Sequence, residues 1–218
     1  FPLLPFLLDK FNSSGSTLGF LAGTYAISQF AVSPLIGALS DRYGRKPIIS
    51  FCVFGSVVGL TLFALTVSFN WINVLPLWAG SLPIILLFAA RIIDGISGGT
   101  AATATAVLAD ISTPETRAKT FGLIGVAFGL GFLLGPGLGT TLSKFSVTLP
   151  VWVAAGIALL NLFLVIKVLQ ETHPIEKRKS LPRKRELNPF SQLKKVFENQ
   201  SIRILCVAFF LFFMAFNG

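Results

Sequence analysis

The sequence predicts an all-α membrane protein: a bundle of six helices, the first truncated, followed by the start of a seventh. Three observations predict it. Of the 218 residues, 53% are hydrophobic. Only 12% are charged, where a soluble domain carries roughly a quarter. The apolar residues gather in stretches of about twenty, the length that crosses a hydrocarbon core of roughly 30 Å.

The spans follow in order. The chain opens on Phe1-Pro2-Leu3-Leu4-Pro5-Phe6-Leu7-Leu8. This run is too short to cross and has no basic leader, so it reads as the end of a truncated first span rather than a signal peptide. Complete spans two to six are expected at about Leu18–Leu39, Ile48–Phe69, Pro83–Leu108, Thr120–Leu142 and Pro150–Leu169. A seventh begins at Ile202 and is cut by the end of the chain. Each must be helical, because in lipid every backbone amide needs an internal partner. None alternates apolar and polar residues as barrel strands do. The expected organisation is a bundle at 1–170, a basic linker at 171–201 and the start of span seven at 202–218. Both ends read as cuts, so the partner half of the same protein is expected to be missing.

Two connections have a character of their own. Asn70 to Ser81 holds Trp71, Pro76 and Trp78, and tryptophans favour the head-group level. Asn188 to Asn199 has the pattern of a short amphipathic helix with Phe190, Leu193, Val196 and Phe197 on one face.

Charge fixes orientation. The net charge is +9, which in a soluble protein would suggest nucleic acid. Here the position of the charges explains the excess. The connection between spans two and three holds Arg42, Arg45 and Lys46, and that between four and five holds Arg117 and Lys119. Lys167, Lys177, Arg178, Lys179, Arg183, Lys184, Arg185, Lys194, Lys195 and Arg203 follow span six. The opposite side has only Lys10 and Lys144. The rich side is the cytoplasmic side of an inner membrane, so loops 2–3, 4–5 and 6–7 are cytoplasmic. The expected partner is the bilayer, including anionic head groups; nucleic acid is not expected.

Cys52 and Cys206 sit in apolar runs without ligand or disulfide spacing, and His173 has no assigned partner. No cofactor or metal is expected. Nor is an enzyme, since the chain has no Ser/His pair, no H-E-x-x-H and no aspartate pair on facing spans.

Four stretches carry chemistry. Gly37-Ala38-Leu39-Ser40-Asp41-Arg42-Tyr43-Gly44-Arg45-Lys46-Pro47 closes span two. Gly37 permits close helix approach, Asp41 can cap a helix or pair with an arginine, and Gly44 suits a tight turn. An ordinary positive-inside loop would have the same composition. In span four, Arg91 and Asp94 lie about 12 and 16 Å from Pro83, at a rise of roughly 1.5 Å per residue. A charge at that depth costs on the order of 2.5–3.5 kcal/mol. Their i,i+3 spacing puts them on one face, toward the bundle interior. They are either a packing pair or a site of ion or proton coupling. Asp110-Ile111-Ser112-Thr113-Pro114-Glu115-Thr116-Arg117-Ala118-Lys119 offers Ser112 or Thr113 as a helix cap and Pro114 in a first turn. In span five, Gly125/Gly129 and Gly131/Gly135/Gly139 form small ridges for helix approach, and Pro136 is expected to bend the helix. Tyr25, Gln29, Ser97 and Thr100 are candidate substrate contacts, and such residues also bond between helices.

The pattern G-x-L-x-D-R-x-G-R-K between spans two and three resembles the signature of the major facilitator superfamily. Its position matches as well. That resemblance implies an N-terminal six-helix bundle and a latch of Gly37, Asp41, Arg42, Gly44, Arg45 and Lys46, joined by a second cluster at Asp110 and Arg117. Arg91 resembles the arginine of the family's R-x-x-Q-G, with Asp94 where that motif has glutamine. G-x-x-x-G followed by G-P-x-x-G resembles the motif associated with antiporters, which implies a hinge at Gly125, Gly129, Gly135, Pro136 and Gly139. Thr140 stands where a second glycine is frequent. The block from Arg91 to Gly139 is similar to tetracycline-resistance drug–proton antiporters. The implied function is proton-driven export of an amphiphilic small molecule by alternating access, with Asp94 taking the proton beside Arg91. Symport of a sugar, peptide or organic anion is the alternative, and a non-transporting receptor or scaffold the third.

Overall fold

The computed structural model describes residues 15–69, 71, 82–178, 188–198 and 200–217. Among these, every regular element is helical. The chain forms two compact units, Phe1–Lys179 and Ser180–Gly218.

Among the described residues, the first unit contains six α-helices: α1 (Gly15–Tyr43), α2 (Arg45–Ser68), α3 (Leu82–Ile96), α4 (Thr100–Ile111), α5 (Arg117–Ser143) and α6 (Leu149–Val168). A 3₁₀ turn, Ser97–Gly99, joins α3 to α4, so they make one span of 30 residues, Leu82–Ile111. Spans two to six are therefore all present. All five are long and apolar enough to cross a membrane. The first span and most of Asn70–Ser81 lie outside the described residues. Trp71 is described; its indole N–H donates to the Thr66 carbonyl at 2.7 Å.

Helix ends follow backbone chemistry. Pro47 and Pro150 lie in the first turns of α2 and α6, where a missing N–H removes no intrahelical bond. Phe69 and Leu169 turn to extended backbone and stop α2 and α6. The helices α1 and α5 continue through Pro34 and Pro136.

The core is small and lies between α1, α2, α3, α4 and α6. Leu21, Phe63, Val67, Leu87 and Ala90 form one buried cluster. Ile49, Val53 and Val107 form another, covered by Leu162, Val165 and Leu169. Trp152 Nε1 donates to Ser68 Oγ at 2.9 Å, tying α6 to the end of α2. By contrast α5 buries no residue and leaves Phe128, Phe132 and Leu133 exposed. Apolar surface on this scale is a liability in water and the stable arrangement in lipid, where backbone bonding is already satisfied.

The second unit holds α7 (Pro189–Glu198) and α8 (Gln200–Asn217). The first covers the expected amphipathic segment; the second is an apolar helix that begins two residues before Ile202, where a seventh span was expected to start.

Candidate functional site

Among the described residues, two polar clusters lie in the first unit, one within the spans and one at their basic end.

Within the spans, Arg91 Nη1 lies 3.7 Å from Asp94 Oδ2, with side chains 13% and 16% exposed. The i,i+3 spacing delivers the pair, one turn apart on α3. The Arg91 guanidinium also sits over the Phe63 ring of α2, 4.5 Å from its centroid, a cation–π contact that strengthens when desolvated. Ser56 of α2 lies beside the Asp94 carboxylate. Tyr25 of α1 lies within electrostatic reach of both charges. The helices meet closely because Gly59 has no side chain: a Cβ there would stand 3.0 Å from Asp94 Cβ and from the Ala90 carbonyl.

The other candidate contacts nearby are already engaged. Gln29 Nε2 donates to the Gly98 carbonyl at 2.9 Å, across from α1 to the 3₁₀ turn. Ser97 Oγ donates to the Ile93 carbonyl at 2.8 Å, and Thr100 Oγ1 to the Ser97 carbonyl at 3.2 Å. Gln29 thus bridges helices, while Ser97 and Thr100 satisfy their own helix. Ser56 and Phe63 are members of this site that the sequence reading missed; nothing in their local pattern marks them.

At the basic end, Arg45 is buried with 8% exposure and holds two carboxylates. Its Nη1 bonds Asp41 Oδ1 at 2.6 Å and its Nε bonds Asp110 Oδ2 at 2.9 Å. Nη1 also donates to Ser40 Oγ at 2.7 Å, and Ser40 Oγ donates to the Gly37 carbonyl. Asp41 therefore pairs with an arginine and caps no helix.

The whole connection between α1 and α2 is Gly44, at φ 104°, a conformation that disfavours any other residue. Its N-cap position offers no side chain to the first amides of α2. Glu171, just past α6, supplies the missing acceptor. Oε1 accepts the Arg45 N–H at 2.8 Å and Oε2 the Lys46 N–H at 3.2 Å. A carboxylate at a helix N-terminus satisfies orphan amides and meets the positive end of the dipole. Partial burial opposes ionisation of Glu171, yet the amides of His173, Arg45 and Lys46 and the nearby Arg178 hold its carboxyl below the usual glutamate range. A Cβ on Gly44 would run into that carboxylate.

His173, unassigned from sequence, is buried here. Its amide donates to Glu171 Oε1 at 3.0 Å, and Nδ1 lies 3.9 Å from Asp110 Oδ2. Thr172 Oγ1 reaches the same oxygen at 3.5 Å.

Other expected residues stand apart from both clusters. Gly37 meets nothing within 4 Å where a side chain would stand, and the same holds for Gly125, Gly129 and Gly135. Among the described residues no helix packs closely on either ridge. Arg42 lies over the ring of Tyr43, 5.2 Å from its centroid, and Arg117 is exposed at the start of α5. Neither joins the Arg45 cluster. Ser112 and Thr113 do not cap α5 either. Ser112 ends α4 and its hydroxyl donates to the Leu108 carbonyl. Residues 114–116 form a turn, and α5 starts only at Arg117. Pro114 and Glu115 thus precede the helix. Exposed Glu115 is held below the usual range by the Thr113 side chain.

Comparison with known proteins gives a consistent picture. The family model of the Major Facilitator Superfamily matches residues 1–218. The chain is 36% identical over 213 residues to the class C tetracycline resistance protein of Escherichia coli, covering 96% of this chain and 50% of that protein. It is 33% identical over 196 residues to multidrug resistance protein 2 of Bacillus subtilis (strain 168), covering 89% and 45%. The crystal structure of the human organic anion transporter MFSD10 (TETRAN) superimposes with a TM-score of 0.66 at 31% identity, over 90% of this chain and 45% of that one. The chain spans about half the length of the relatives it matches.

Proposed function

The chain belongs to the Major Facilitator Superfamily, and on that premise we propose that it is one half of a proton-coupled exporter of an amphiphilic small molecule, a carrier and not an enzyme. The observation that carries the reading is the Arg91–Asp94 pair, deep in a span and shared between α1, α2 and α3. Two charges at such depth are expensive, and residues of this kind mark ion pathways and proton relays. Asp94 takes up and releases the proton; Arg91 holds its charge in place between steps. Similarity to tetracycline and multidrug resistance proteins supports drug-like cargo and outward transport.

Exchange proceeds by alternating access, two bundles rocking about a midplane cavity, with this chain supplying one bundle. The cluster of Asp41, Arg45, Asp110 and Glu171 latches the basic end, with Gly44 as its turn. Arg42, Lys46 and Arg117 hold that end at the cytoplasmic surface of the inner membrane. The glycine ridge of α5, with Pro136, serves as the moving face toward the other bundle.

A second reading has its own support. The solved structure that superimposes is titled an organic anion transporter, and Arg91 offers a cation to such a substrate. In that case the same bundle moves an organic anion with protons.

The test is the full-length protein in liposomes carrying an internal pH dye and an imposed proton gradient. Lipophilic drugs are expected to dissipate the gradient, and Asp94→Asn to abolish this while the protein still folds. Wild-type coupling in Asp94→Asn removes the carboxylate from the mechanism. Proton movement only with organic anions, in the same direction, selects the second reading.

A further inference from the structure

We infer that α7 is a lipid-surface helix that lies in the plane of the membrane and binds anionic head groups. The helix is 10 residues long, about 15 Å, half of what crosses a bilayer core. Its start is fixed: Asn188 Oδ1 accepts the Phe190 amide at 3.0 Å, and the Asn188 carbonyl accepts the Ser191 amide at 3.0 Å. Phe190 and Phe197 are seven residues apart, two turns, and so fall on one face. They are 71% and 43% exposed. Lys194 is exposed and lies about 40° round the helix from Phe190, at the margin of the apolar face, where a long basic side chain rises to the head groups.

Two further facts choose the occupant. After Asn199 alone, the chain enters α8, whose Ile204, Leu205, Phe209 and Phe210 are exposed apolar residues. A helix joined so tightly to an apolar span starts at the membrane boundary. Residues 177–198 also contain eight lysines and arginines against Glu186 and Glu198. A basic cluster of this size beside a span is drawn to an anionic leaflet. An acidic soluble partner would match the charge, but not an aromatic face held at the edge of the hydrocarbon.

The test uses the full-length protein with Cys52→Ser and Cys206→Ser, carrying the fluorophore NBD on Phe190→Cys. It is reconstituted in phosphatidylcholine alone and in phosphatidylcholine with phosphatidylglycerol. Aqueous iodide and spin-labelled lipid are the two quenchers. Adding phosphatidylglycerol is expected to move the label from iodide toward the lipid quencher. Reversing Lys194 and Lys195 to Glu should weaken that preference about fivefold per lysine, and Phe197→Ser should return the label to iodide. Full iodide access in both lipids overturns the inference. So does shielding from both quenchers, which means that protein covers the face. Lipid contact that ignores both phosphatidylglycerol and the charge reversals overturns the anionic part. If the reversals do not fold, the wild-type comparison between the two lipids still decides.

Discussion

Asp110, at the end of α4, bonds the Nε of Arg45, at the start of α2, at 2.9 Å and across 65 residues of sequence. The same guanidinium holds Asp41 at 2.6 Å. The ends of α1, α2 and α4 are thus pinned by one buried cation.

The two carboxylates are not equivalent. The Asp110 side chain is 24% exposed and that of Asp41 41%. Breaking a largely buried pair costs several kcal/mol, and an exposed one little. Asp110→Ala is expected to lower stability by about 3 kcal/mol and Asp41→Ala by about 1 kcal/mol or less. Thermal unfolding of the full-length protein in one detergent ranks the two. An equal loss would mean that Arg45 does not discriminate between them.

Gly44→Ala should destabilise by roughly 1–3 kcal/mol, because alanine is strained at φ 104° and its Cβ meets Glu171. Glu171→Ala in the same chain relieves the clash but not the torsion. The double variant should therefore be less destabilised than the sum of the singles, as a complete thermal-unfolding cycle would show.

Glu171 supplies a pH test. Its folded carboxyl titrates below the ordinary 4.5, so its contribution is present above 4.5 and lost as pH falls through the lower, folded value. Wild type should exceed Glu171→Gln in stability at neutral pH, and the gap should close as the medium is acidified below 4.5. A gap that is constant across this range would detach Glu171 from the α2 amides.

For the pair within the spans, Arg91→Leu alone leaves Asp94 uncompensated and should cost about 3 kcal/mol. Arg91→Leu with Asp94→Leu should recover most of that loss, since replacing both members is far milder than removing one. Proton-coupled transport should be absent from both. Recovered stability with retained coupling would move the chemistry elsewhere.

The number of spans was legible because an apolar run of twenty residues in lipid has no alternative to a helix. Arg91 and Asp94 were legible because their spacing is local. Glu171 was not, because its partners lie 126 and 125 residues away and its own neighbourhood resembles any polar loop. His173 was missed for the same reason: Asp110 reaches it through the fold. The glycines of α5 suggested close packing, yet nothing described stands within 4 Å of a Cβ at Gly125, Gly129 or Gly135. A small-residue ridge shows that approach is possible but does not name what approaches. Arg117 resembled a latch member by motif, and the late start of α5 leaves it on the surface.

The one-residue connection at Gly44 also has a mechanical meaning. Two rods of 29 and 24 residues meet at a joint with a single pair of soft torsions. The second rod is about 36 Å long. A rotation of about 10° at the joint would sweep its far end through about 6 Å, wider than a water molecule and comparable to a small ring. Glu171 clasps the joint at its pivot, where a small displacement answers to a large one at the far end. Slack at this one residue is therefore magnified along α2 into a gap at the opposite end of the rod.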